Sequence, residues 1–546
     1  MNGSSKGGKL VPVFRAHRRR WSALLAVPLA LVCATAAFGA TAHRSAANTL
    51  VVDNSFTIKT SDPQRAFDPT ASIVDRAIYD TLFTYRKDDL AHPIPLLVAS
   101  YKATHGGRKY TFRLKKGVHF ANGNPLTSAD VVFSLDRLIN LKGNPAFLLA
   151  GMKIKAKGKY GVVITSRTPA TQLPAILANT STGIVNSKLV RAHGGNAGPH
   201  ASTRDKAEHW LNSAASLGAG SGPYVLKSYS TTSQITLVPN KKYWGARKPT
   251  FSSVVVRNMI APTQLINIQR GTHEIAIDLA ADQAQTLKHN KKLKVSLQPS
   301  TWVFWLFANN DPSVSTVTSN KSWQRAIRYG LNYKSLLSVA GPGAYQTPGI
   351  IPSMFLGALP AKDKIKQNVT RAKAALAASG DASQAVTLAY PSDLTINGVP
   401  FTTLAEKVQA NLQAIGMNIQ LSGAPTSTWL TQYRSGKMAF GLSLWGPDYP
   451  DPTDYLTFAP GQLVGLRVGW KKGASPAIER LAARLVKTTN PKQRQKLYRQ
   501  YQRALNASGP YFPLMQPTQV FVSTSDLKNA VYNAEYSVDV TQVSPK

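Results

Sequence analysis

A single cysteine in 546 residues narrows the folds open to this chain more than any other feature. With no second thiol there is no disulfide framework, no Cys-based zinc ribbon, no iron–sulfur ligation and no CxxC redox pair. The chain must therefore be held by apolar packing, and any chemistry it performs must use oxygen and nitrogen groups. The material for packing is present: 43% of the residues are hydrophobic, core for roughly three or four domains of ordinary size.

That cysteine, Cys33, lies in an N-terminal segment with its own logic. Lys6, Lys9, Arg15, Arg18, Arg19 and Arg20 come first without one acid, and residues 21–38 are then almost wholly apolar and small. The run closes on Ala37-Phe38-Gly39-Ala40, small residues that suit a signal peptidase, so residues 1–40 read as a signal peptide and the mature chain as exported. If retained, the same stretch is long enough to anchor the chain as one membrane-spanning helix. Val32 stands where a lipoprotein signal has Gly, Ala or Ser, which favours Cys33 as a small residue of the signal helix over a lipid-bearing one. Arg19-Arg20 followed by Trp21-Ser22 fits a twin-arginine signal poorly, so Sec export is the reading.

Beyond the leader, 59 Lys and Arg face 26 Asp and Glu, a balance of +33, and no later run approaches 18 consecutive apolar residues. Acids are scarce, so each is informative. The two densest basic runs are Lys153, Lys155, Lys157, Lys159 and Lys288, Lys291, Lys292, Lys294. Such runs could bind phosphate by counterion release, but no RNP-like aromatic motif, helix-turn-helix or zinc module accompanies them. They read as solvated faces, with no nucleic-acid partner. On an exported protein this charge suits association with anionic lipid or wall polymer.

The patterning is mixed α/β. Residues 48–53 alternate as a strand, residues 77–85 read as a helix leading into an extended segment, and residues 109–120 alternate with Tyr110, Phe112 and Leu114 on one face. Asn122-Gly123-Asn124-Pro125 turns the chain, and Thr127 with Asp130 marks a helix start at about Ser128. Strands follow at residues 225–229, 234–238, 253–258 and 302–308, with helical spacing at 322–333 and 370–378. Residues 401–415 carry an apolar stripe of Leu404, Val408, Leu412 and Ile415, closed by Gly416 and followed by a strand at 417–421. One long helix over 476–505 and a strand at 519–523 complete the chain.

No catalytic signature is present: no HExxH, GxSxG, P-loop or GxGxxG after a strand. His193 and His200 lie in a Gly-rich loop and read as surface groups rather than metal ligands. No cofactor is implied. The segment Trp445-Gly446-Pro447-Asp448-Tyr449-Pro450-Asp451-Pro452 carries the most chemistry. Its prolines stiffen a loop on which Trp445 and Tyr449 can present flat apolar faces while Asp448 supplies charge, the mix of a small-ligand pocket. Two other readings stay open: a structural turn whose aspartates cap amides, and an exported hydrolase that uses Asp448 and Asp451 as a carboxylate pair.

Several blocks, in order, resemble the solute-binding proteins, family 5, of bacterial ABC importers for oligopeptides, dipeptides and nickel. Lys109-Tyr-Thr-Phe-Arg-Leu-Lys-Lys-Gly-Val-His-Phe-Ala-Asn-Gly-Asn-Pro-Leu-Thr-Ser-Ala-Asp130-Val-Val-Phe-Ser is similar to that family's signature, with Asn122 in place of the usual Asp. Phe67-Asp68-Pro69, Gly220 to Tyr224, Asn240 to Trp244, Gln324-Arg325-Ala326-Ile327 and Trp445 to Pro452 resemble further family blocks. The resemblance implies a type-2 periplasmic-binding-protein fold, two lobes on a hinge with an extra domain. Lobe I would comprise residues 48–89, 180–305 and 511–546, the extra domain 90–179, and lobe II 306–510. It also implies a non-enzymatic function: capture of a peptide or other small solute by hinge closure, and delivery to membrane permease subunits by a monomer. Asp448 would bind the peptide's α-amino group, with Trp445, Tyr449, Trp302 and Trp305 as further ligand-facing candidates. Nickel chelate, haem or sugar remain alternative ligands.

Overall fold

A computed structural model describes residues 48–546; the expected leader, with Cys33, lies outside the described residues. The strand Thr49–Asn54 enters the middle of a seven-stranded sheet whose order is Leu293–Pro299, Thr518–Thr524, Glu274–Ala276, Thr49–Asn54, Ser253–Asn258, Gln234–Pro239 and Tyr224–Ser228. It runs parallel to both its neighbours, and the outer pairs are antiparallel. A second sheet of six strands is ordered Tyr345–Gln346, Tyr511–Gln516, Val303–Ala308, Phe440–Trp445, Val386–Pro391 and Ile419–Ala424. A third, fully antiparallel, is made of Val98–Thr104, Lys109–Leu114, Gly161–Thr165 and Lys153–Ala156. Within Lys153–Ala156 both lysines are exposed and only Ile154 is buried, as expected of a solvated face.

The strand Val303–Ala308 is buried at every residue because both its faces are covered. Phe304, Leu306 and Ala308 pack with residues of the helices Lys321–Gly330 and Phe401–Gln413. Trp305 and Phe307 face a separate cluster with Tyr433, Phe458 and Tyr511.

Several sequence blocks prove to be structural joints. Asp68 caps the helix Pro69–Ile78 by accepting from the Ala71 N–H at 2.9 Å, with Pro69 at the position where a missing N–H costs nothing. At the other end of that helix, Gly222 N–H donates to the Ile78 carbonyl at 2.9 Å, and a Cβ on Gly220 or Gly222 would collide with that turn. Trp244 Nε1 and Ser221 Oγ both donate to Asp80, at 2.8 and 2.9 Å. Asp130, in the helix Ser128–Leu141, accepts from the Thr127 N–H and from the N–H and hydroxyl of Ser187. Two helical turns further on, fully buried Arg137 donates to both Asp62 and Asp205.

Three element boundaries differ from expectation. The helix expected over 77–85 ends at Ile78, and Tyr79 is already extended, because the helix begins eight residues earlier at the Asp68-Pro69 start. The single helix expected over 476–505 is two, Pro476–Lys487 and Pro491–Ser508, since Pro491 cannot continue a helix and Asn490 caps a new one through the Gln493 N–H. The strand expected to reach residue 120 stops at Leu114, and Gly117 turns the chain at a φ of +79°. In addition, Tyr511–Gln516, placed in lobe I from sequence, pairs within the six-stranded sheet, and the chain changes sheets at Pro517.

Candidate functional site

The strand Phe440–Trp445 pairs antiparallel with Val303–Ala308 and releases into the loop that carries Asp448. Gly446 crosses the face of the Trp302 indole so closely that a Cβ would come within 2.5–2.7 Å of ring atoms. Only a residue without a side chain can pass there, and the passage sets Asp448 and Trp302 on one wall.

The three aspartates of this loop have different tasks. Asp451 caps the short helical segment Pro452–Phe458 by accepting from the Thr453 N–H at 2.9 Å, and it pairs with Arg494 at 2.6 Å. Asp454 lies beneath the loop and accepts from Trp445 Nε1 at 2.8 Å and from the Asp448 N–H at 3.3 Å. Asp448 spends only its backbone on the fold; its carboxylate has no hydrogen bond or ion pair among the described residues. Burial, and then the neighbouring Asp448 charge, push Asp454 up to about 8, while burial pushes Asp448 up to about 6. Two adjacent carboxylates do not both ionise cheaply in a poorly solvated site. Of the two, the more deeply buried Asp454 is pushed up further, so the pair's negative charge favours Asp448.

That charge faces a cavity of about 310 Å³, the size of a small-ligand pocket. One wall is Thr301, Trp302 and residues 446–448, on the side of the six-stranded sheet. The other is built from residues 67–69 at the helix start, residues 179–181, and Tyr532 and Glu535 of the C-terminal segment. The helix Pro69–Ile78 shares its core with the seven-stranded sheet, so the walls belong to different sheets. The chain crosses between those sheets twice, at residues 300–302 and at Pro517. The crossings are tied together: the Ser300 N–H donates to the Pro517 carbonyl at 2.8 Å, and Gln516 Nε2 donates to the Ser300 carbonyl at 2.6 Å. Thr301 and Trp302 thus line the cavity from within a crossing.

Of the sequence-derived candidates, Asp448 and Trp302 meet at the cavity. Trp445 stands behind it, its N–H committed to Asp454 and its ring edge-on to Phe458 with centroids 5.6 Å apart. Tyr449 packs against the hydrophobic core rather than lining the cavity. Trp305 is fully buried between Phe458 and Tyr511 in the middle of a strand with both faces covered, so it has no route to a ligand. Sequence reasoning missed Glu535 as a cavity-lining residue, since nothing around it forms a motif. Asp68 belongs to the Phe67-Asp68-Pro69 block, and only the fold places it on the cavity wall.

Residues 92–462 match the family described as bacterial extracellular solute-binding proteins, family 5. The chain is 27% identical over 492 residues to a probable D,D-dipeptide-binding periplasmic protein of Escherichia coli, covering 89% of this chain and 91% of the relative. It is 23% identical over 528 residues to the glutathione-binding protein of Pectobacterium atrosepticum, covering 94% of each. Among solved structures, HbpA2 of Haemophilus parasuis superposes with a TM-score of 0.78 at 19% identity, covering 91% of this chain and all of that one. A periplasmic binding protein of Helicobacter pylori in complex with a peptide superposes with a TM-score of 0.71 at 20% identity, covering 93% and 99%. The shared fold is the two-lobed one of periplasmic binding proteins.

Proposed function

Because this chain belongs to the bacterial extracellular solute-binding proteins of family 5, we propose that it captures peptides in the cavity at Asp448 and hands them unaltered to the permease subunits of an ABC importer. The observation that carries this reading is a carboxylate without a partner among the described residues, in a cavity whose walls come from two sheets that the described chain joins at two crossings. A ligand shifts an open and closed equilibrium only by its differential affinity for the closed state. Contacts made to both walls at once exist only when the lobes are shut, and a carboxylate waiting on one wall gives an ammonium group a reason to enter. The names of the relatives, a D,D-dipeptide binder and glutathione binders, support a short peptide as the ligand class.

In this reading lobe I comprises residues 48–89, 180–300 and 518–546, residues 90–179 form the extra domain, and residues 301–517, which carry the six-stranded sheet, form lobe II. The leader is removed on export, and the protein works as a monomer outside the cytoplasmic membrane. Its basic excess holds it near anionic lipid or wall polymer. The rival reading, a hydrolase with Asp448 and Asp451 as its carboxylate pair, needs Asp451 to face the substrate. Asp451 is committed to Arg494 and Thr453, which speaks against it.

Mass spectrometry of the small molecules released when the purified protein is denatured tests the ligand class. Short peptides are expected; a sugar, haem or metal chelate in their place refutes the peptide reading. Small-angle scattering with and without the released ligand then shows a smaller radius of gyration for the loaded protein if closure is the mechanism.

A further inference from the structure

The wall opposite Asp448 carries a second carboxylate that the fold does not use. Glu535 lines the cavity, its Oε1 is buried without any hydrogen-bond partner, and its side chain is otherwise bonded to that of Asn179. Asp68, also on that wall, differs because its carboxylate is occupied by the Ala71 N–H and the Thr57 hydroxyl. An adjoining cavity of about 230 Å³ shares Thr301, Tyr532 and Ala534 with the first and adds Asp88. Neither cavity is lined by a single Lys, Arg or His, in a chain whose basic residues outnumber its acids 65 to 26. Lys294 enters only in a third cavity beyond Asp88, where its Nζ donates to the Leu527 carbonyl. The carboxylates are also dispersed: among the described residues no group of three or more His, Cys, Asp and Glu is placed to hold one metal ion.

Resting on the peptide reading above, we infer that the ligand carries two separated positive groups, an α-ammonium on Asp448 and a basic side chain on Glu535. A peptide with neutral side chains brings one positive group to a cavity lined by acids and no base, and leaves the Glu535 oxygen unpaired. A lysine or arginine side chain supplies the second positive group. The two carboxylates stand on opposite walls, so a ligand bridging them pulls the lobes together.

Burial pushes Glu535 up to about 8. The groups its charge acts on are Tyr85 and Tyr536, while Asp68 lines the same wall and Asp448 the opposite one; Arg76, over the Tyr536 ring, is already paired with Asp539 at 3.2 Å. No counter-ion therefore reaches Glu535 before a ligand does, and at pH 7 it holds a proton that an arriving cation must displace.

The test is titration calorimetry of the full mature protein with Lys-Ala and with the neutral analogue norleucyl-Ala, which lacks the side chain's terminal ammonium, in two buffers of different ionisation enthalpy. At least tenfold tighter binding of Lys-Ala at pH 7 is expected, with net proton release on Lys-Ala binding only. Glu535→Gln should abolish both the preference and the proton release. Equal affinities for the two dipeptides, no binding of either, or a preference that survives Glu535→Gln overturns the inference. Asp448→Asn separates this from the underlying reading: if it leaves the binding of every peptide ligand intact, the peptide site itself is misplaced, whatever Glu535 does. Tight binding of Ni²⁺ alone that is lost in Glu535→Gln would also overturn the inference in favour of a metal ligand.

Discussion

Replacing Asp448 by asparagine keeps the side chain's shape and one acceptor oxygen and removes only the charge. Two unit charges 4 Å apart attract by about 4 kcal/mol at the effective dielectric near a protein surface. Against this, the asparagine oxygen still accepts a hydrogen bond of about 1 kcal/mol. Asp448 is half-buried rather than sealed, so solvent screening removes about another 1 kcal/mol. Roughly 2 kcal/mol remains, about a thirtyfold loss of affinity. The assay is calorimetry at pH 7.5 with the peptide that copurifies, with and without an acetylated amino terminus. Acetylation should cost the native protein about as much as the substitution does, and should cost the Asn variant almost nothing further, because both changes delete the same interaction. A native protein that binds acetylated peptide as well as free peptide would refute the reasoning, since an ammonium partner is then not what Asp448 supplies. The pH dependence gives an independent check. With the Asp448 carboxyl at about 6, lowering the pH from 7 to 5 protonates it, and affinity for ammonium ligands should fall about tenfold in the native protein but not in the variant.

Asp454, pushed up to about 8, retains in the folded state a proton that an unfolded carboxylate sheds near pH 4. Its contribution to stability is therefore present at low pH and is lost as pH rises from about 4 to about 8; the fall in Tm between pH 5 and pH 8 should be smaller by a few degrees in Asp454→Asn, as differential scanning fluorimetry would show. Arg137→Met leaves the buried carboxylates of Asp62 and Asp205 without their shared cation, which should cost about 3–5 kcal/mol. Urea unfolding followed by circular dichroism should show a lower midpoint, with ligand affinity of the folded protein unchanged because Arg137 lies outside the cavity wall.

The blocks that make the sequence recognisable are mostly joints of the scaffold, which is why the fold was more legible than the site. Asp68-Pro69 starts a helix, Gly220 and Gly222 admit a close approach to its last turn, and Asp130 ties its helix to Ser187. Each is a local demand of backbone geometry or hydrogen bonding, and local demands leave patterns in the sequence. The misplaced boundaries have the same origin. The break at Asn490-Pro491 is local in the same way: proline cannot continue the first helix, and Asn490 caps the second.

The amino-acid order by itself determined the α/β character, the strands and most helices, and the absence of thiol chemistry in the body of the chain, because these follow from periodicity, capping residues and composition; the family is legible in ordered blocks that resemble its members. It also singled out Asp448 as the charged residue of its loop. Only the tertiary structure decided which acids remain free. Asp451 and Asp454, three and six residues further along, are spent on Arg494 and on Trp445, whereas Glu535, 87 positions away in the sequence, lines the same cavity as Asp448. Whether a carboxylate is available to a ligand depends on which distant donors reach it, and that is fixed by packing between segments rather than by neighbours along the chain.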